Sequence, residues 1–227
     1  MYGTLLSPLL IVAGFKPLHV VPSILVSQAI GGFSASMFHN RLKNAIFNLT
    51  SRDSKVVFIV TSVGVLMTFV AVSIAVVIPT VFLKLYIGLL VISMGILIIA
   101  RKRFRFSWKK IGLIGVISSF NKGLSGGGFG PIVTCGQVAV GRNPKESVGA
   151  TTLAEAPICI AAFLIYVLRG VSLNFGLIIP MCLGAAAAGP LGAYATWKYP
   201  KRFMASATGV LALVLGVWTL FKTLTSL

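Results

Sequence analysis

The sequence contains very few acidic residues. Asp53, Glu146 and Glu155 stand against 20 lysines and arginines in 227 residues, giving a formal net charge of +17. These acids are too few and too scattered for the paired carboxylates of acid–base enzymes, and no HExxH segment is present. Both histidines lie in loops or at the ends of apolar runs, so Ser125 has no nearby base in the sequence. We therefore predict no catalytic residues, and we keep a membrane-embedded enzyme only as a weaker alternative.

The cysteine pattern argues against a metal site. Cys135, Cys159 and Cys182 lie inside apolar segments without metal-ligand spacing, which is typical of buried thiols that act as small apolar groups. A glycine-rich segment is present, but it lacks the Gly-Lys-Ser/Thr ending of an ATP-binding P-loop. We expect no metal and no cofactor.

The chain is rich in apolar residues. It is 57% hydrophobic and only 10% charged, with a mean hydropathy of +0.99, unlike an ordinary soluble domain. A bilayer-spanning helix needs about 20 apolar residues. We predict an all-α polytopic membrane protein with spans at Pro22–Phe38, Val56–Val77, Val81–Ala100, Val148–Leu168, Val171–Trp197 and Phe203–Phe221. The basic residues cluster at span ends, so the lipid bilayer explains the charge better than nucleic acid does.

Two further apolar stretches are short or broken. Thr4–Ala13 is too short to span, and Ile111–Val140 is interrupted by the segment Asn121–Pro131, which contains three consecutive glycines. We interpret Ile111–Val140 as two half-helices that meet at Ser125–Pro131. In transporters, half-helix N-termini at such breaks bind anions through free N–H groups and the positive dipole end. The break therefore predicts a transporter of a small anion.

The chain contains a weak internal repeat. Residues 1–100 and 111–227 are predicted to be two copies of one unit, joined by the basic loop 101–110. Two sets of matched segments support this, and each set runs in the same order in both copies. In the first set, Ser7-Pro8-Leu9 matches Gly130-Pro131-Ile132, Gly14-Phe15-Lys16-Pro17 matches Gly141-Arg142-Asn143-Pro144, and Gln28 matches Glu155. In the second set, Pro79–Lys84 matches Pro200–Ala205 and Gly88 matches Gly209. The first copy contains no counterpart of Ile111–Gly128.

Charge predicts the topology. If Ile111–Val140 is a re-entrant hairpin with both ends in the cytoplasm, fifteen basic residues lie inside and four outside. If the segment crosses once, only twelve lie inside. The hairpin is favoured, and it makes the two copies inverted repeats with broken helices, a recurring plan in secondary transporters.

Two segments carry a family resemblance. Gly126–Pro131, followed by Gly141–Thr152, resembles the TauE/SafE (TSUP) family, in which a glycine-rich element and proline precede a short loop and a small, Ser/Thr-rich helix start. The sequence departs from that pattern at its start and at Pro22, which stands where the second copy has Gly149. The resemblance implies a multi-pass permease of a bacterial or archaeal plasma membrane for sulfite, sulfonates or related small anions. We expect a secondary transporter, with a passive anion channel as the alternative, and leave homo-oligomerisation open.

The candidate substrate site is built from glycines and short polar groups. Glycines let backbone N–H groups approach a ligand, and hydroxyl or amide groups hold an anion without trapping it. The alternative is that the glycines only permit close helix packing, as we expect for Ala185–Gly189. The predicted substrate-binding residues are Asn121, Ser125, Gly126, Gly127, Gly128, Pro131, Thr151, Thr152, Ser7 and Ser23.

Glu155 lies about two turns into an apolar helix, where a carboxylate is costly and indicates function. We predict that Glu155 carries a coupling proton and that its repeat partner Gln28, which is polar at the equivalent depth, takes part in coupling by lining the same wet region. The alternative is a structural bond to a neighbouring helix, for example to Lys122. Lys122 itself either raises the local anion concentration near the break or snorkels toward the cytoplasmic face, and we favour snorkelling slightly.

Overall fold

The structure, a computed structural model, describes residues 2–100, 107–198 and 201–225. This part of the chain is all-α, without strands. Its nine helices are α1 (Gly3–Val12), α2 (Pro17–Arg41), α3 (Arg52–Val77), α4 (Thr80–Ala100), α5 (Trp108–Ser125), α6 (Phe129–Ala139), α7 (Pro144–Leu168), α8 (Phe175–Lys198) and α9 (Lys201–Thr225).

Helix boundaries follow local chemistry. Ser51 caps α3 by accepting the Ser54 N–H at 3.0 Å, and the Asn143 side chain accepts the Lys145 N–H at 2.9 Å at the start of α7. The predicted span from Val171 starts too early, because α7 ends beside Gly170 at φ +71° and α8 begins only at Phe175. Among the described residues, α2, α3, α7 and α8 are long and apolar enough to cross a membrane.

The predicted break in Ile111–Val140 is confirmed. α5 ends at Ser125 and α6 begins at Phe129, with Gly126 and Gly128 in the left-handed region at φ +68° and +78°. This conformation favours glycine. The two half-helices run antiparallel, because a Cβ added at Gly136 would lie 2.6 Å from Ile114, near the far ends of both helices.

Close contacts give the directions of the long helices. α3 runs parallel to α5, since Gly64 faces Ser119 and Gly123 faces Ala71. α3 also runs parallel to α7, and α2 to α8. By contrast, α2 is antiparallel to α7 and α4 is antiparallel to α9. α2 is the most buried of the four spanning helices and, with α7, forms the centre of the bundle.

The basic loops within the described residues share one end of the bundle, here called the basic end. Arg142 pairs with Asp53, and Lys145 Nζ donates to Trp197 O at 2.9 Å. α5 begins at this end because it runs parallel to α3, and α6 returns to it. The α5–α6 segment is therefore a hairpin that enters and leaves at the same end. At the opposite end, Arg169 Nη2 donates to Ser73 Oγ at 2.8 Å.

Candidate functional site: a buried ion pair beside a broken helix

The backbone N–H groups of the α5–α6 break are hydrogen-bonded within the protein. Gly126 N–H donates to Lys122 O at 2.9 Å and Gly127 N–H donates to Ser125 Oγ at 3.1 Å. Gly128 N–H donates to Thr4 Oγ1 of α1 at 3.0 Å. In this conformation none of these three donors is directed at a ligand, and their predicted role in anion binding stays a prediction.

The start of α1 packs directly on the break. A Cβ added at Gly127 would lie 3.0 Å from both Gly3 O and Thr4 Cα. Ser7 Oγ donates to Ser125 O at 2.8 Å, so two predicted site residues that are distant in the sequence are in contact. The glycines thus permit a close approach of the two half-helix starts, which was the alternative interpretation of the sequence. Pro131 lies in the first turn of α6, where a missing N–H costs no intrahelical bond.

Three polar side chains from three helices meet in the interior. Lys122 Nζ of α5 donates to Glu155 Oε1 of α7 at 2.6 Å and also to Gln28 Oε1 of α2. Lys122 is fully buried, and Glu155 and Gln28 are 8% and 4% exposed. The expectation that Lys122 snorkels to the surface is wrong, because its charge is compensated inside the bundle. We call these three residues the central triad.

The central triad adjoins the break. A Cβ added at Gly3 would lie 2.5 Å from Gln28 Nε2 and 2.6 Å from Gly126 O. Gly3 therefore stands between the triad and the break, where a larger residue would separate them. Both half-helix starts, of α1 and of α6, come to this region. Their partial positive charge makes it favourable for an anion.

The remaining predicted residues differ in position. Asn121 lies at the break, because a Cβ added at Gly128 would lie 3.5 Å from Asn121 Cβ and Ser125 Oγ donates to Asn121 O at 2.7 Å. The Asn121 side chain also accepts a hydrogen bond from Tyr86 of α4. Ser23 Oγ donates to His19 O at 2.7 Å, and Thr152 Oγ1 donates to Val148 O at 2.8 Å, both within their own helices. Thr151 Oγ1 accepts from Gln137 Nε2 at 2.9 Å. The structure therefore groups the predicted residues in several clusters.

Sequence reasoning missed a second buried ion pair. Arg142 and Asp53 are 4% and 5% exposed and bond to each other, and Arg142 also donates to Gln137 Oε1. The sequence feature that could have indicated this pair was the scarcity of acids. In a chain with three carboxylates and many basic residues, each carboxylate is expected to have a basic partner. In the described residues, no three His, Cys, Asp or Glu side chains come together to form a metal site.

Comparison with protein families supplies the identification. The sequence model of the sulfite exporter TauE/SafE family matches residues 2–219 of the 227. The chain belongs to the TauE/SafE family. This is a family of membrane transporters for sulfite and organosulfur anions. Family membership and the four apolar helices of spanning length together indicate a multi-pass membrane protein. Comparisons with curated proteins and with solved structures give no significant match.

Proposed function

We propose that this TauE/SafE protein is a secondary transporter of the plasma membrane that carries a small anion, sulfite or a sulfonate, bound by Lys122. The observation that carries the proposal is the fully buried Lys122 ammonium beside the α5–α6 break. A cation in a water-excluded interior attracts an anion far more strongly than one in water. Two half-helix starts add positive potential at the same place.

Charge balance gives the coupling. Burying an unpaired charge is costly, so Lys122 needs a negative partner in every state. In the proposed cycle Glu155 supplies that partner when no substrate is bound, through its 2.6 Å contact with Lys122. When an anion replaces Glu155 at Lys122, a protonated Glu155 keeps the site neutral. The substrate is therefore carried together with a proton, and Gln28 holds Lys122 in both states.

Helix directions support two inverted copies around this site. Under the sequence repeat, α2 corresponds to α7 and α4 to α9, and both pairs are antiparallel. The contacts of α2 with α8 correspond to those of α7 with α3, and both pairs are parallel. Inverted copies that meet at a central site are the arrangement by which many secondary carriers open alternately to the two sides.

Replacement of Glu155 by glutamine tests the coupling. Glu155→Gln mimics the protonated carboxyl. Exchange of anion across a liposome membrane with the anion present on both sides should therefore persist. Proton-driven net transport should be lost, because the empty site leaves Lys122 without a counter-charge and cannot return. The measurement is isotopic sulfite exchange and net uptake by the purified protein at several pH values.

Glu146→Gln is the matched control. Glu146 lies on the same helix, but its side chain is 44% exposed and reaches Arg142 at 3.6 Å rather than Lys122. Glu146→Gln should therefore keep net transport proton-driven, whatever its effect on the rate. Equal net transport by Glu155→Gln and the native protein across pH would show that Glu155 is structural. Counterflow separates a carrier from a channel, since only a carrier drives uptake of labelled anion against an opposing gradient of unlabelled anion.

A further inference from the structure

Polar residues continue from the central triad toward the basic end. Ser147, Thr151 and Glu155 are spaced four residues apart on α7 and share one helix face. Thr134 and Gln137 of α6 face them: Thr134 Oγ1 donates to Thr151 Oγ1 at 3.1 Å, and Gln137 Nε2 to the same atom at 2.9 Å. We call Thr134, Gln137, Ser147 and Thr151 the α6–α7 stripe. Thr151 lies one turn, about 6 Å along the axis, from Glu155.

The α6–α7 stripe ends at the buried ion pair. Arg142 donates to Gln137 Oε1 and to Asp53, and Asp53 Oδ2 in turn accepts the Ile46 N–H at 2.8 Å. This pair joins the α6–α7 corner to the start of α3. All four stripe residues are less than 9% exposed, and the pair contacts the stripe at Gln137, next to the α6–α7 corner at the basic end. Arg142 Nε is buried without a hydrogen-bond partner, so the guanidinium retains an unused donor.

The corresponding face of the first copy is apolar. The repeat that aligns Pro17 with Pro144 and Gln28 with Glu155 sets Val20 and Ile24 against Ser147 and Thr151. Val20 and Ile24 are fully buried, as is the stripe residue Ser147. Equal burial with different polarity means that packing alone does not require hydroxyl groups at the positions on α7. Ser147 Oγ and Thr151 Oγ1 each donate to a carbonyl four residues back, but Thr151 Oγ1 also accepts hydrogen bonds from Thr134 and Gln137 of α6. A buried row of polar groups shared by two helices indicates a path for water or ions.

We propose that the α6–α7 stripe is the route by which protons and anions pass between the basic end and the central triad, and that the Arg142–Asp53 pair closes it. That protons and anions use the route rests on the proposed function. That the α6–α7 stripe becomes accessible from the basic end does not. When the pair separates, Arg142 is free to bind an entering anion, and the stripe hydroxyls become hydrated. On α2 the matched positions hold Val20 and Ile24, and the buried Ser23 and Ser27 beside them donate to His19 O and Ile24 O of their own helix.

Thiol labelling tests the route without any transport measurement. Thr151→Cys is made in a background in which Cys135, Cys159 and Cys182 are replaced, and a small charged methanethiosulfonate reagent is added from the basic end in oriented membrane vesicles. Adding Asp53→Asn should raise the labelling rate about tenfold or more, because one partner of a buried pair is lost. Ile24→Cys, the matched position on α2, should stay unlabelled in both backgrounds.

Asp53→Glu keeps the charge and should leave the rate at Thr151→Cys near that of the native pair. If Asp53→Asn does not insert, Arg142→Gln serves instead, since it removes the other partner of the closing pair; the same acceleration is expected. An unchanged rate at Thr151→Cys in an inserted Asp53→Asn or Arg142→Gln protein would overturn the proposal. So would equal acceleration at Ile24→Cys, which shows general loosening. The labelling experiment contains no substrate, so a protein that fails to transport sulfite could still show the expected labelling. Equally, a protein that transports sulfite could fail the labelling test.

Discussion

At the scale of single residues, the pairing of Lys122 with Glu155 decides what both can do. Each would be costly to bury alone, and each is nearly or fully buried. The pair draws together α5 and α7, and the bond to Gln28 adds α2. An ion pair shared by three helices couples any movement of α5 to the centre of the bundle. Binding that separates the pair therefore also frees these helices from one another.

Truncation of one partner should destabilise the protein more than truncation of both. Lys122→Met leaves Glu155 without a partner and should lower the free energy of unfolding by about 3 kcal/mol, whereas Lys122→Met with Glu155→Leu should recover most of that loss. The measurement is thermal and denaturant unfolding in detergent, arranged as a double-mutant cycle. Additive losses from the two substitutions would contradict the bond.

Sequence reasoning found these residues but could not choose between their roles. Glu155 and Gln28 were recognisable as polar residues at matching depth in two apolar segments. Lys122 gave no such signal, because a lysine near a helix break can reach the surface or pair internally with equal local propensity. Only the packing of α7 against α5 decides between the two. Asp53 and Arg142 are 89 residues apart, and no local pattern predicts a contact at that separation.

At the scale of helices, close packing of α2 on α8 illustrates what small residues do in a membrane. A Cβ added at Gly189 would lie 2.9 Å from Gly31 O and 3.0 Å from Ala35 N. Both contacts are to backbone, which cannot move aside without separating the helices. The prediction from sequence that Ala185–Gly189 is a packing face agrees with these contacts. Without a hydrophobic driving force in lipid, such close approach supplies much of the helix association.

Gly189→Ala should therefore lower stability by about 1–3 kcal/mol, the usual cost of overpacking. Gly184→Ala and Gly192→Ala are controls on the same helix, because a Cβ added at either position meets nothing within 4 Å. Both controls should be neutral or slightly stabilising, since alanine favours helix. The test is the unfolding midpoint of the three variants in one detergent. Equal midpoints for Gly189→Ala and the controls would argue against tight α2–α8 packing.

Helix existence was predictable and helix packing was not. Long apolar runs and the glycine break identify every helix, because hydropathy and glycine content are local properties. Helix ends moved by several residues where caps decide them, as at Ser51 and Asn143. The contact of α1 with the break, through Gly3 and Thr4, depends on how distant half-helices meet. The sequence shows these two residues only as an unremarkable helix start.

At the scale of the whole molecule, the asymmetry between the two ends connects topology with function. The basic end collects the starts of α3, α5 and α7, the Arg142–Asp53 pair and the mouth of the α6–α7 stripe. The opposite end, where α1 turns into α2, presents the apolar residues Val20 and Ile24 on the corresponding face. If the basic end faces the cytoplasm, the proposed proton route opens to the cytoplasm.

The charge count predicts a cytoplasmic location for four segments, because they hold 15 of the 20 basic residues: Asn40–Lys55, Arg101–Lys110, Arg142–Lys145 and Lys198–Arg202. Asn143→Cys, in a cysteine-free background, should therefore resist an impermeant maleimide added to whole cells and react once the membrane is opened. Ser172→Cys, exposed in the loop before α8 at the opposite end, should react in whole cells. Labelling of Asn143→Cys from outside, with Ser172→Cys protected, is the pattern expected if Ile111–Val140 crosses the membrane once, and it would contradict a hairpin with both ends in the cytoplasm. Labelling of both from outside would place the two ends of α7 on one side, which the spanning length of Pro144–Leu168 does not allow.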